Sequence, residues 1–173
     1  MKEEKNVEFR GMRFDNALDF REGLAPVAIN GKWGYVDRTG QVVIYPQFDE
    51  VEPFHMGIAA VCIGGKIGYI DRRGRMIIEP TFDDGSNFAE GLASVKIGNK
   101  YGYVNELGDI VIEPQFDLAF PFQENLAIVK MSDKFCFIDK TGQIIAELDF
   151  DWIEPFHEDI ARIRKGDKWG YID

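Results

Sequence analysis

The dipeptide Phe-Asp begins at Phe14, Phe48, Phe82, Phe116 and Phe150, at a spacing of 34 residues each time. A fixed period of this length means a stack of one supersecondary unit, which constrains the fold more than any local propensity. The same period aligns Lys32, Lys66, Lys100, Lys134 and Lys168 in one column, followed by Trp33, Ile67, Tyr101, Phe135 and Trp169. Helix-pair repeats share the period, but they need long uninterrupted helical stretches, and Gly or Pro punctuates this chain every few positions. The sequence therefore predicts a single all-β domain, 1–173, of five 34-residue repeats starting at 14, 48, 82, 116 and 150. Each repeat is expected to be a three-stranded antiparallel meander.

Local signals supply the strands. In Leu24 to Ile29, the columns of Ala25, Val27 and Ile29 stay apolar between units, while the column of Ala28, Cys62, Lys96, Lys130 and Arg164 drifts toward charge. That alternation predicts a strand with one more exposed face. Asn30-Gly31, Gly64-Gly65 and Gly98-Asn99 are pairs that reach positive φ cheaply, so a tight hairpin follows; Ser132-Asp133 fits less well. The second strand covers Lys32 to Val36, and Asp37 to Gly40 reads as a type I turn with a bulge. The third strand is the apolar run Val42 to Ile44, which Pro46 is expected to end.

The stretch KWGYVDRTGQVVIYPQFD, with its Lys-aromatic-Gly-aromatic core, Gly turn, Pro and Phe-Asp in register, resembles the WG-repeat, or KWG-repeat, family of mostly bacterial proteins. The resemblance covers residues 14 to 173; Ile67, Cys136 and Leu148 depart from it where Trp, Gly and Pro are expected. It implies a β-rich repeat with no assigned chemistry.

The fifth unit reaches only its second strand at Asp173, and residues 4–13 fit the third-strand columns, with Asn6 in the turn-glycine position and Phe9 in the apolar one. A propeller-like closed ring, with 4–13 completing the last unit, is favoured because closure removes exposed strand edges. The alternative is an open β-repeat array capped by the same residues.

Charge and composition narrow the function. A net charge of −10 argues against nucleic acid, which is bound largely by Lys and Arg on phosphates. The opening MKEEKNVEFR lacks the apolar stretch of a signal peptide, and no run approaches a membrane helix, so a cytoplasmic protein with no membrane partner is expected. Cys62 and Cys136 occupy unrelated columns and make no disulfide framework. His55 and His157 share a column but lack ligands at metal spacing, and read as surface residues. The Asp of each Phe-Asp pair and the Asp37 column are expected to cap turns through their own backbone. No nucleophile elbow or phosphate-cradling loop occurs. The chain is accordingly expected to be no enzyme and to use no metal or cofactor.

The aromatic column after Lys accepts Ile67, which favours packing over ligand stacking. Columns where the units disagree are the better candidates for binding. Leu118 and Trp152 stand where other units have Asn16, Glu50 and Asp84, and Phe120 stands against Glu52, Ser86 and Glu154. Leu118, Phe120 and Trp152 read either as an exposed apolar partner patch or as cover for a locally different core. Glu79, Glu113 and Glu147 form a column that either steers a basic partner or protects strand ends. The functional expectation is a non-catalytic binding platform for a basic protein, with an inhibitor or immunity protein as a narrower form. The alternative is a carbohydrate or small-ligand module using exposed aromatics.

Overall fold

The computed structural model describes residues 13–156 and 160–172. Among them there is no helix, and the strands form five antiparallel sheets, one per period. The first sheet holds, in spatial order, β1 (Asn16–Ala17), β2 (Leu24–Ile29), β3 (Lys32–Asp37) and β4 (Val42–Phe48). The second repeats this with β5 (Glu50–Val51), β6 (Ile58–Ile63), β7 (Lys66–Asp71) and β8 (Met76–Phe82). The third has β9 (Asp84–Gly85), β10 (Leu92–Ile97), β11 (Lys100–Asn105) and β12 (Ile110–Phe116), and the fourth β13 (Leu118–Ala119), β14 (Ala127–Met131), β15 (Lys134–Ile138) and β16 (Ile144–Leu148). The fifth has three described strands, β17 (Trp152–Ile153), β18 (Ala161–Lys165) and β19 (Lys168–Ile172).

The expected three-stranded unit is thus a four-stranded sheet in the first four repeats. The residues after Phe-Asp pair with the outer edge of the next strand, Asn16 opposite Ala28 and Ala17 opposite Val27. A two-residue strand carries no alternation, so its sequence does not announce it. A second tight turn also precedes β2: Arg21 and Leu24 exchange backbone hydrogen bonds of 2.9 and 3.0 Å around Glu22 (φ 50°) and Gly23 (φ 83°). The β2–β3 hairpin turns through Asn30 (φ 52°) and Gly31 (φ 75°), both positive as a type I′ turn requires. Asp37 caps its own turn as expected, its Oδ1 accepting from the Thr39 and Gln41 amides at 2.8 and 3.0 Å.

Pro46 does not end the third strand. β4 runs through it to Phe48, because an edge strand can spare that N–H. The ladder is bulged instead, with Tyr35 opposite Ile44 but Trp33 opposite Phe48. The bulge lays the β4 backbone over Gly34, where a Cβ would stand 2.3 Å from the Ile44 carbonyl oxygen and 2.6 Å from the Pro46 nitrogen. Gly68 and Gly102 are covered in the same way. Glycine after the aromatic is therefore demanded by a backbone crossing, and the aromatic itself packs: Trp33 lies partly buried on the first core cluster and Phe135 is fully buried.

The sheets stack face to face, and the four clusters that join sheets each join two neighbouring units. Tyr35, Ile44 and Phe48 of the first sheet meet Phe54, Ala59 and Val61 of the second repeat, and the pattern repeats along the chain. Burial on both sides explains the drifting column: Ala28 and Cys62 are buried, Lys96 and Lys130 half-buried and Arg164 exposed. Cys62 and Cys136 are free and buried. Of the expected closing or capping strand, 4–13, only Arg13 is described and it lies in no strand; the rest, like His157, falls outside the described residues.

Candidate functional site

Three junctions between neighbouring units are sealed by one recurring set of contacts. The tyrosine two residues after the aromatic donates its hydroxyl to a carbonyl of the next unit: Tyr35 to Glu52 at 2.7 Å, Tyr69 to Ser86 at 2.8 Å and Tyr103 to Phe120 at 2.7 Å. Each ring packs on a phenylalanine of the next unit, Tyr35–Phe54 at 4.7 Å, Tyr69–Phe88 at 4.9 Å and Tyr103–Phe122 at 4.9 Å between centroids. Burial raises all three phenol pKa values well above the usual range.

Charge reinforces the same junctions. Lys32 bridges Asp49, Lys66 bridges Asp83 at 2.5 Å and Lys100 bridges Asp117 at 2.5 Å, each reaching the Phe-Asp pair that begins the next unit. The other carboxylate oxygen accepts the amide of a hairpin turn fifteen residues on, such as Gly64 or Gly98 at 2.7 Å. The Phe-Asp aspartate thus caps a distant hairpin and not, as expected, its own backbone. Its lysine bond, then its amide bond, hold Asp49, Asp83 and Asp117 below the ordinary carboxylate pKa.

The fourth junction, between units four and five, keeps one contact of this scheme, the Gly166 amide donating to Asp151 at 2.5 Å, and departs from the rest. Phe137 occupies the tyrosine column and has no hydroxyl to donate. Its ring stands 6.2 Å from Phe156. Cys136 replaces the covered glycine and Leu148 the proline, and of the two register shifts of the other units only the one between Phe137 and Ile138 remains; beside the cysteine the ladder is regular, with Cys136 opposite Glu147 and Phe135 opposite Leu148. A Cβ cannot fit under the bulge, so loss of the glycine and loss of the bulge go together. The straightened strand brings Glu147 beside Lys134, which pairs with it at 2.5 Å and does not reach the next Phe-Asp aspartate. Burial, with Glu147 next, raises the Cys136 thiol pKa.

The result is a cavity of about 380 Å³. Phe120, Leu126, Ile128, Phe137, Pro155 and Phe156 form apolar walls, with Pro121, Gln123 and Glu124 completing the lining. Leu126 is 36% exposed, whereas its equivalents Leu24, Ile58 and Leu92 are 5%, 9% and 7% exposed. Apolar area that three junctions bury is left open in the fourth.

The six sequence candidates do not converge. Phe120 lines the cavity. Trp152, on β17, meets Phe135 edge-on at 6.0 Å and does not line it. Leu118 lies half-buried on β13, opposite Lys130. Glu79 and Glu113 are exposed on β8 and β12, and Glu147, on β16, is tied to Lys134. Sequence reasoning missed Leu126, Ile128, Phe137 and Phe156. One signal could have found them: Phe137 breaks a column otherwise held by Tyr35, Tyr69, Tyr103 and Tyr171. Among the described residues no group of three or more His, Cys, Asp or Glu could hold a metal ion.

The sequence matches the family described as WG containing repeat over residues 12–33, 33–66, 67–101, 101–135 and 137–169. The chain belongs to this WG-repeat family. No curated protein matches the sequence. Solved structures share the architecture. A eukaryotic initiation factor superposes with a TM-score of 0.65 at 10% identity, over 93% of this chain and 52% of that one. Hsv2 of Kluyveromyces lactis gives 0.55 at 8% identity, over 85% and 55%. The extracellular domain of a putative hybrid two-component system from B. thetaiotaomicron gives 0.53 at 11% identity, over 92% and 26%. The WG-repeat chain spans 52% or 55% of the first two of these solved chains. The likeness is one of fold, an array of stacked β-sheets with propeller-like neighbours.

Proposed function

We propose that this WG-repeat domain is a non-catalytic protein-binding module, and that the cleft between its fourth and fifth units receives an apolar side chain of the partner. One observation carries the reading: the fourth junction leaves open an apolar cavity of about 380 Å³ where three equivalent junctions are sealed by the same columns. A concave apolar pocket with a few polar groups at its edge is the usual seat of an anchor residue. Sealed units on one side supply a rigid platform, so little ordering cost attends binding. Glu124 in the lining and a net charge of −10 favour a partner with basic residues around that anchor. Neutralising a basic enzyme, as an inhibitor or immunity protein does, is the narrower form of this reading.

The test is selection of binders from a displayed random-peptide library on the folded domain. Peptides with an aromatic or aliphatic anchor flanked by Lys or Arg are expected. They should lose binding to Phe120→Glu, which installs the residue type that Glu52 and Glu154 have in that column, and keep binding to Trp152→Ala. Selected peptides that bind Phe120→Glu unchanged would sink the reading. Sugar binding by exposed aromatics has less support, since Arg162 and Arg164 already stack on Trp169 at 4.8 and 5.8 Å.

A further inference from the structure

The contact set that seals the first three junctions exists once more, split between the two ends of the array. Unit five presents the leading half. Tyr171, in the tyrosine column, is 73% exposed, although Tyr35, Tyr69 and Tyr103 are fully buried. Trp169 is 55% exposed, and Lys168 stands in the column of Lys32, Lys66 and Lys100. Unit one presents the receiving half. Phe20 is 42% exposed, while its equivalents Phe54, Phe88 and Phe122 are 1%, 2% and 3% exposed. Leu18, whose carbonyl is equivalent to those of Glu52, Ser86 and Phe120, is also 42% exposed. Asp15 stands in the column of Asp49, Asp83 and Asp117, and among the described residues no lysine reaches it and no carboxylate reaches Lys168.

We propose that the fifth unit docks on the first unit of a second copy of this chain, using the sealed-junction contacts. Lys168 would bridge Asp15 of that copy, Tyr171 would donate to the Leu18 carbonyl, and the Tyr171 ring would pack on Phe20. The interior junctions are the template: the same residue types at the same columns form this interface three times within the chain. The occupant is a second copy because the two halves match column for column and, among the described residues, both stay solvent-exposed. A head-to-tail contact made once would propagate into a filament, whereas made reciprocally between two copies it closes as a two-fold dimer. The assembly uses surfaces separate from the cleft and stands without the reading given to it above.

The test is the mass of the full chain in solution. Sedimentation or light scattering should give twice 19.7 kDa. Tyr171→Ala combined with Lys168→Glu, at exposed positions, should return the monomer with an unchanged circular dichroism spectrum, and Phe20→Glu at the other end should do the same. A Phe20→Cys, Tyr171→Cys double variant should form an interchain disulfide under oxidation. A monomeric wild type, a dimer indifferent to these substitutions, larger open assemblies, or an intrachain disulfide would overturn the proposal, the last in favour of a chain that closes on itself.

Discussion

Gly34→Ala and Gly170→Ala place the same methyl group in the same repeat column and should have opposite consequences. At Gly34 the new Cβ would stand 2.3 Å from the Ile44 carbonyl oxygen, 2.6 Å from the Pro46 nitrogen and 2.8 Å from the Tyr45 carbonyl carbon. All three atoms are backbone, so no side-chain rotation relieves the contact, and β4 must move by about 1 Å to restore van der Waals distance. Overpacking of this kind costs about 3 kcal/mol, the upper part of the usual range, because the bulge is also an inter-strand ladder. For a chain of this size that corresponds to a fall in Tm of about 6–12 °C. At Gly170 the nearest atoms are Cγ1 and Cδ1 of Ile163, at 3.7 and 3.8 Å, which is ordinary contact. There the substitution should be neutral, or stabilising by about 0.5 kcal/mol from the lost flexibility of glycine. The assay is thermal unfolding of both variants by circular dichroism. Equal shifts for the two would refute the claim that the glycine column exists to pass a bulged strand.

Three further outcomes follow from the junctions. Tyr103→Phe should destabilise by about 1 kcal/mol, since it removes a buried donor from the Phe120 carbonyl, and urea unfolding would read it. Phe137→Tyr should cost no stability and should weaken binding of library-selected peptides about tenfold, because a hydroxyl at that column recreates the seal of the other junctions; unchanged affinity would count against the cleft. Acid should loosen the lysine–aspartate contacts. The folded pKa values of Asp49, Asp83 and Asp117 are depressed, so their contribution is complete above the unfolded value of about 4 and is lost as pH falls through the folded values. Tm should therefore drop below about pH 4, less steeply in Asp83→Asn, and salt should blunt the effect because the groups are exposed.

The hairpins and the repeat were legible because their causes are local. Asn30-Gly31 needs positive φ at adjacent residues, and a 34-residue period survives any reading of propensity. The two-residue β1 was not legible, since pairing without alternation leaves no trace. Nor was the turn at Glu22-Gly23, where a glutamate takes a positive φ that sequence statistics reserve for Gly and Asn. The Lys–Asp bridges tie a hairpin lysine to the aspartate that links its sheet to the next, a relation that periodicity cannot reveal. Cys136 and Leu148 were visible as departures taken singly. Only the bulge shows that they are one event, and only the stacking shows that Phe137 completes it by opening the cleft. Of the sequence candidates, Phe120 lines that cleft because it sits on the chain segment facing it, whereas Leu118 and Trp152 differ from their columns at positions that do not.

The central claim is that the fourth junction is open to a ligand side chain where the first three are closed. Methyl NMR with a library-selected peptide tests it most directly. The account predicts shifts at the methyls of Leu126 and Ile128, with those of Leu24 and Leu92, sealed in equivalent positions, unmoved. Peptide-induced shifts confined to other units, or equal shifts at Leu92 and Leu126, would contradict it.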